Sequence, residues 1–168
     1  MKLIQTLLAV AAPMFAGACM SDTDLVKGAE GFRACKYNDT KGIATICYGY
    51  NLQRSKAAGD LKSVGANLST VMAGGCLSQS QCDSLLNIEM VSARNGARNV
   101  VGTTPCACAN AVMVDMTYNL GSLSAFNTFT GLIKQGRWKD AAADGHTTLW
   151  CSQVGNRCSR DMNQILQC

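Results

Sequence analysis

The chain has 168 residues, ten cysteines, one histidine, 15% charged residues, a formal charge of +4 and a mean hydropathy of +0.06. That length suits one domain with a sizeable core. The charge is too small to argue for a nucleic-acid partner, and the composition carries no low-complexity tract or linker.

The first eighteen residues read as a signal peptide. Met1-Lys2 gives a positive start, Leu3 to Phe15 is apolar, and Ala16-Gly17-Ala18 is a small-residue cleavage site. Removal after Ala18 leaves Cys19 at the new N-terminus and a mature domain over 19–168. A lipoprotein anchored at Cys19 is the lesser reading, because the large aliphatic residue expected upstream is missing. The apolar run is shorter than the roughly 20 residues a spanning helix needs, so no stable membrane anchor is expected. Losing Lys2 leaves fourteen basic against eleven acidic residues, a mature charge of +3.

Ser21-Asp22-Thr23-Asp24 has the form of a capping box. It predicts a helix from Asp22 to Glu30, with Leu25, Val26 and Ala29 inward and Gly31 as its stop. A hairpin follows, Ala34 to Asn38 and Ile43 to Tyr48, around the turn signal Asp39-Thr40-Lys41-Gly42. Ser55 to Asn67 reads as a glycine-interrupted helix. Ser78-Gln79-Ser80-Gln81 is a second capping box, and the helix behind it carries Cys82, Leu85, Leu86, Ile88 and Met90, ending near Asn95-Gly96. Thr104-Pro105 opens a helix with proline at its first position. Ala109, Val112, Met113, Met116 and Leu120 wrap around that helix, which makes it the central, nearly buried one. Asn119-Leu120-Gly121-Ser122 ends it. Phe126 to Gln135, Arg137 to Ala143 and Ser159 to Leu166 are shorter helices. The fold class is α+β.

All ten cysteines, Cys19, Cys35, Cys47, Cys76, Cys82, Cys106, Cys108, Cys151, Cys158 and Cys168, lie beyond the leader. An even number behind a secretion signal reads as five disulfides. The favoured local pair is Cys76–Cys82, with Cys35–Cys47 across the hairpin as a weaker one. Zinc at Cys106-Ala-Cys108 is disfavoured, because His146 is the sole histidine and no CxxC pair occurs. No metal is expected.

Glu30-Gly31-Phe32-Arg33, Tyr37-Asn38-Asp39-Thr40-Lys41-Gly42 and Thr45-Ile46-Cys47-Tyr48-Gly49 set a glutamate, an aspartate nine positions on and a threonine six further in one frame. Two carboxylates and a hydroxyl are what is needed to protonate a glycosidic oxygen and aim a water at the sugar carbon. The frame resembles that of the phage-type lysozymes, glycoside hydrolase family 24. Asp115-Met-Thr-Tyr118-Asn119-Leu-Gly121, Gly136-Arg137-Trp138-Lys139-Asp140-Ala141-Ala142 and Trp150 with Asn156-Arg157 extend the resemblance over the mature chain. It implies a lysozyme-like fold, with a small N-terminal lobe around the hairpin and a larger helical C-terminal lobe. It also implies a muramidase that cuts bacterial peptidoglycan by inversion. The leader and the disulfide load favour a secreted protein of defence or digestion, and nothing in the sequence demands a cofactor or more than a monomer.

By the same resemblance Glu30 is the general acid, which calls for a partly apolar setting. Asp39 is the ionised carboxylate acting on water, Thr45 positions that water and Arg157 braces Glu30. Tyr118 and Asn119 are the expected sugar contacts, with Asn51 as a further one; Trp138 and Trp150 read as core. Two departures stand out. Cys47 replaces a usual glycine, where a disulfide supports the hairpin in place of backbone tightness or narrows the cleft. Tyr50 replaces a frequent histidine. Asn38 and Asn67 begin glycosylation sequons, and Asn38 is expected to stay bare because a glycan there would sit beside Asp39. The competing readings are an inactive peptidoglycan-binding module and a chitin-directed hydrolase on the same scaffold.

Overall fold

The computed structural model describes residues 19–168, and the leader reading falls outside them. Ser21 caps helix α1 (Asp22–Glu30): its hydroxyl accepts from the Asp24 amide and donates to the Asp24 carboxylate. Leu25 and Val26 are wholly buried. Gly31 stops the helix with φ of 71°, a conformation that favours glycine.

Strands β1 (Arg33–Asn38), β2 (Ala44–Cys47) and β3 (Tyr50–Asn51) form an antiparallel sheet in the order β1-β2-β3. The third strand is one more than the alternation predicts, because Tyr48-Gly49 turns the chain back within two residues. The Asp39 carboxylate caps the β1–β2 turn, accepting from the Lys41 and Ile43 amides at 2.8 Å each.

The expected helix over 55–67 is two helices. Helix α2 (Ala57–Ser63) is stopped before Gly65, whose φ is 73°. Asn67 then caps α3 (Leu68–Met72) by accepting from the amides of Ser69 and Thr70. The second capping box forms in full at the head of α4 (Gln79–Val101): Ser78 accepts from the Gln81 amide while the Gln81 side chain accepts from the Ser78 amide. This helix does not end at Asn95-Gly96. A Cβ at Gly96 would lie 2.9 Å from Thr117 Cγ2, so the glycine is a site of close packing that overrides its low helix propensity.

Helix α5 (Ala107–Leu120) starts two residues after Pro105, with Cys106 as its cap residue. Asn110 reaches back instead, pairing its amide side chain with both the amide and the carbonyl of Thr104. Nine of its fourteen residues are buried, which makes it the central helix; Leu120, expected inside, is exposed at its end. It packs against α1 and α4 and against α9 (Asn156–Ile165). Helices α6 (Asn127–Lys134), α7 (Trp138–His146) and α8 (Leu149–Val154) complete the helical lobe. Helix α8 went unanticipated in the sequence; Thr148 caps it by accepting from the Cys151 amide. The next helix starts at Asn156 rather than Ser159, straight after the Gly155 stop.

The five disulfides are Cys19–Cys108, Cys35–Cys76, Cys47–Cys82, Cys106–Cys168 and Cys151–Cys158. Both expected local pairs are wrong, and strand register explains why. Cys47 stands opposite Arg33, not Cys35, and Cys35 bridges instead to Cys76 in the chain entering α4. Cys82 lies on the buried face of α4, where Cys47 meets it. The sulfurs of Cys106 and Cys108 are committed to separate disulfides, which removes the thiolates a zinc site would use. Among the described residues no helix is long and apolar enough to cross a membrane.

Candidate active site

Glu30 is the last residue of α1, half-buried where the helix meets the hairpin. Its Oε1 accepts from Arg157 Nη1 at 2.8 Å. The other two guanidinium nitrogens of Arg157 form a fork on Asp115, Nε to Oδ2 at 2.8 Å and Nη2 to Oδ1 at 2.9 Å. Asp115 is wholly buried on α5 and the Arg157 side chain is 9% exposed. Burial works against the charge on Arg157, but the bonds to Asp115 and Glu30 outweigh it and push the guanidinium pKa up. A fixed cation therefore orients Glu30 from behind, and a planar fork suits that task better than a lysine.

In front of Glu30 lies an open cleft of about 340 Å³. Tyr48 and Gly49 line it from the small lobe and Arg54 from the loop after β3. Glu89, Ser92 and Ala93 of α4 face them, and Thr117, Tyr118, Asn119 and Gly121 close the end. Tyr118 is half-buried, and its hydroxyl sits 3.3 Å from both the Tyr48 carbonyl and the Glu89 carboxylate. Burial and then the nearby Glu30 carboxyl push its pKa up to about 12, so it is a neutral donor across the working range of any such site. Asn119 is held in place by the Trp150 indole, whose N–H donates to Oδ1 at 2.8 Å. Trp150 is buried and Trp138 packs partly buried against the same core, as the sequence suggests.

The structure thus brings Glu30, Arg157, Tyr118 and Asn119 together. Asp39, Thr45 and Asn51 belong to the sheet beside the cleft and are not among its lining residues. Both backbone amides at the turn bond Asp39 through Oδ1. Thr45 is buried and donates its hydroxyl to the Ile43 carbonyl at 2.9 Å; its strand partner is Asn51, whose side chain caps the Gln53 amide. Two charged lining residues escaped the sequence reading: Arg54 and Glu89, which form an ion pair across the cleft. Neither stands in a motif. A carboxylate inside the apolar stripe of α4 was the one available signal.

The two departures at the hairpin have physical readings. Cys47 adopts φ of 59°, a left-handed conformation costing a non-glycine residue about 1–2 kcal/mol. Its disulfide to Cys82 on α4 holds the backbone there. Tyr50 is buried and donates to Asp60 at 2.7 Å, a structural anchor for the return strand.

A glutamate on a helix end, clamped by an arginine and facing an open groove with a tyrosine and a tethered asparagine, is a constellation for acid catalysis on a polar polymer. The family model for phage lysozyme matches residues 27–161, which is most of the chain and includes every one of these groups. The chain therefore belongs to the phage lysozyme family and is a glycoside hydrolase of the lysozyme type, with peptidoglycan as its substrate.

Proposed function

We propose that this protein is a secreted muramidase. It hydrolyses the β-1,4 bond between N-acetylmuramic acid and N-acetylglucosamine with inversion, as a monomer without a cofactor, in antibacterial defence or digestion. The observation that carries the reading is Glu30, held by Arg157 at 2.8 Å in the mouth of the cleft. Glu30 gives its proton to the glycosidic oxygen as the bond breaks. Asp39 accepts a proton from the attacking water on the opposite face of the sugar, through the oxygen that the turn amides leave unused. Thr45 orients that water. Tyr118 and Asn119 hold the sugar rings by stacking and hydrogen bonding, with Asn51 contributing beside the sheet.

The apolar leader over residues 1–18 and the five disulfides of the domain over 19–168 support export to an oxidising compartment. An inverting site needs its two carboxyls roughly 6.5–9.5 Å apart to admit the water. The test is product analysis on purified peptidoglycan. New reducing ends on N-acetylmuramic acid, appearing first as the α-anomer in a proton NMR time course, support the reading. Initial β-anomer overturns inversion, and reducing ends on N-acetylglucosamine overturn the bond assignment.

A further inference from the structure

The brace behind Glu30 does not end at Asp115. Arg160 Nη2 reaches Asp115 Oδ2 at 3.4 Å and Asp161 Oδ1 at 2.9 Å, so one guanidinium nitrogen joins two carboxyls that are both fully buried. The chain reads Glu30–Arg157–Asp115–Arg160–Asp161. Its two wholly buried carboxyls, Asp115 and Asp161, meet at one guanidinium nitrogen, and two anions set so close out of water are costly. Asp161 Oδ2 is also a buried polar atom with no hydrogen-bond partner among the described residues. A carboxylate oxygen left so is expensive, and the neighbouring Asp115 carboxyl, which shares Arg160 Nη2 with Asp161, is the acceptor at hand for a hydroxyl there.

Building on the catalytic reading above, we propose that Asp161 is a positioning residue held as the neutral acid, whose Oδ2–H donates to Asp115 and so fixes the chain that aims Arg157 at Glu30. Burial pushes the Asp161 carboxyl well above the ordinary aspartate range. The Asp115 charge adds to this, and Arg160 opposes it without prevailing. The charged and titratable groups around it are Asp115 from α5, Arg160 beside it on α9, and Arg157 and Glu30 one link further. On α7, His146 faces the Cys151–Cys158 disulfide instead.

An acid that keeps its proton in the folded chain, beyond the pH at which the unfolded chain releases it, loses stability as pH rises. The experiment compares thermal midpoints of the full chain and Asp161→Asn between pH 4 and 8. The native midpoint should match the variant near pH 4 and fall below it by several degrees toward pH 8. A native chain that is the more stable at neutral pH, with the advantage lost on acidification, would mean an ionised Asp161 paired with Arg160 and would overturn the proposal. So would a difference independent of pH. If Asp161→Asn does not fold, carbon-13 titration of the native Asp161 carboxyl decides the same point. For positioning, the readout is wall clearing. Asp161→Val, which removes the donor, should lower kcat on the order of tenfold or more with KM little changed, and Asp161→Asn should restore most of it. Equal losses in both variants, or none in Asp161→Val, contradict the role. Should the native chain clear no walls, the midpoints still locate the proton, so the two readings fail separately.

Discussion

Arg157 stands between a carboxylate at the cleft and one sealed in the core. Removing it leaves Asp115 buried with only Arg160 at 3.4 Å as a cationic partner. Breaking such a pair costs about 3–5 kcal/mol, and the second arginine puts Arg157→Leu at the low end. Chemical denaturation should show that loss together with a loss of wall clearing; an unchanged midpoint would mean the brace contributes nothing to folding. At this scale the sequence was informative where a residue sits inside a motif. Glu30 and Arg157 meet as the resemblance implies, though 127 positions separate them. Arg54, Glu89 and Asp161 had no such frame. Their meaning comes from what the fold packs around them, and no local pattern announces a buried acid on a helix face.

Helix α4 shows how packing overrules local preference. Asn95-Gly96 looks like a stop, yet the helix continues to Val101 because the glycine lets α5 approach. Gly96→Ala gains about 1 kcal/mol of helix propensity. It also forces a methyl against Thr117 Cγ2, on a β-branched side chain that already donates to the Met113 carbonyl and cannot turn away cheaply. Overpacking of this kind costs about 1–3 kcal/mol, so the variant should be neutral to about 2 kcal/mol less stable. A clearly stabilised Gly96→Ala in thermal unfolding would refute the close contact. Capping chemistry, in contrast, was legible: Ser21 and Ser78 both start helices where the sequence places them. The heads of α5 and α9, which carry no side-chain cap of their own, were not.

Across the whole molecule the disulfides tie distant pieces to the central helix. Cys19–Cys108 pins the start of the described chain to α5, and Cys106–Cys168 pins the last residue to the head of the same helix. The first spans 89 positions. Closing a loop of that size stabilises by roughly 4.6 kcal/mol through the unfolded chain, within a usual range of about 0–5. The double variant Cys19→Ser with Cys108→Ser should therefore unfold at a markedly lower temperature while the cleft, which neither cysteine lines, still clears walls at low temperature. Equal midpoints would contradict the staple. Connectivity was the least legible feature of the sequence. It depends on strand register and helix facing, and two residues of register separate Cys35 from the position opposite Cys47.

The proposed reaction makes Glu30, at the cleft and held by Arg157, the proton donor. The direct test is loss of turbidity of a bacterial wall suspension, measured for the native chain and for Glu30→Gln. The account predicts clearing by the native chain and a rate lower by about 10²–10⁴ for the variant, with folding and wall binding retained. Clearing by Glu30→Gln at the native rate, or no clearing by a folded native chain, would contradict it.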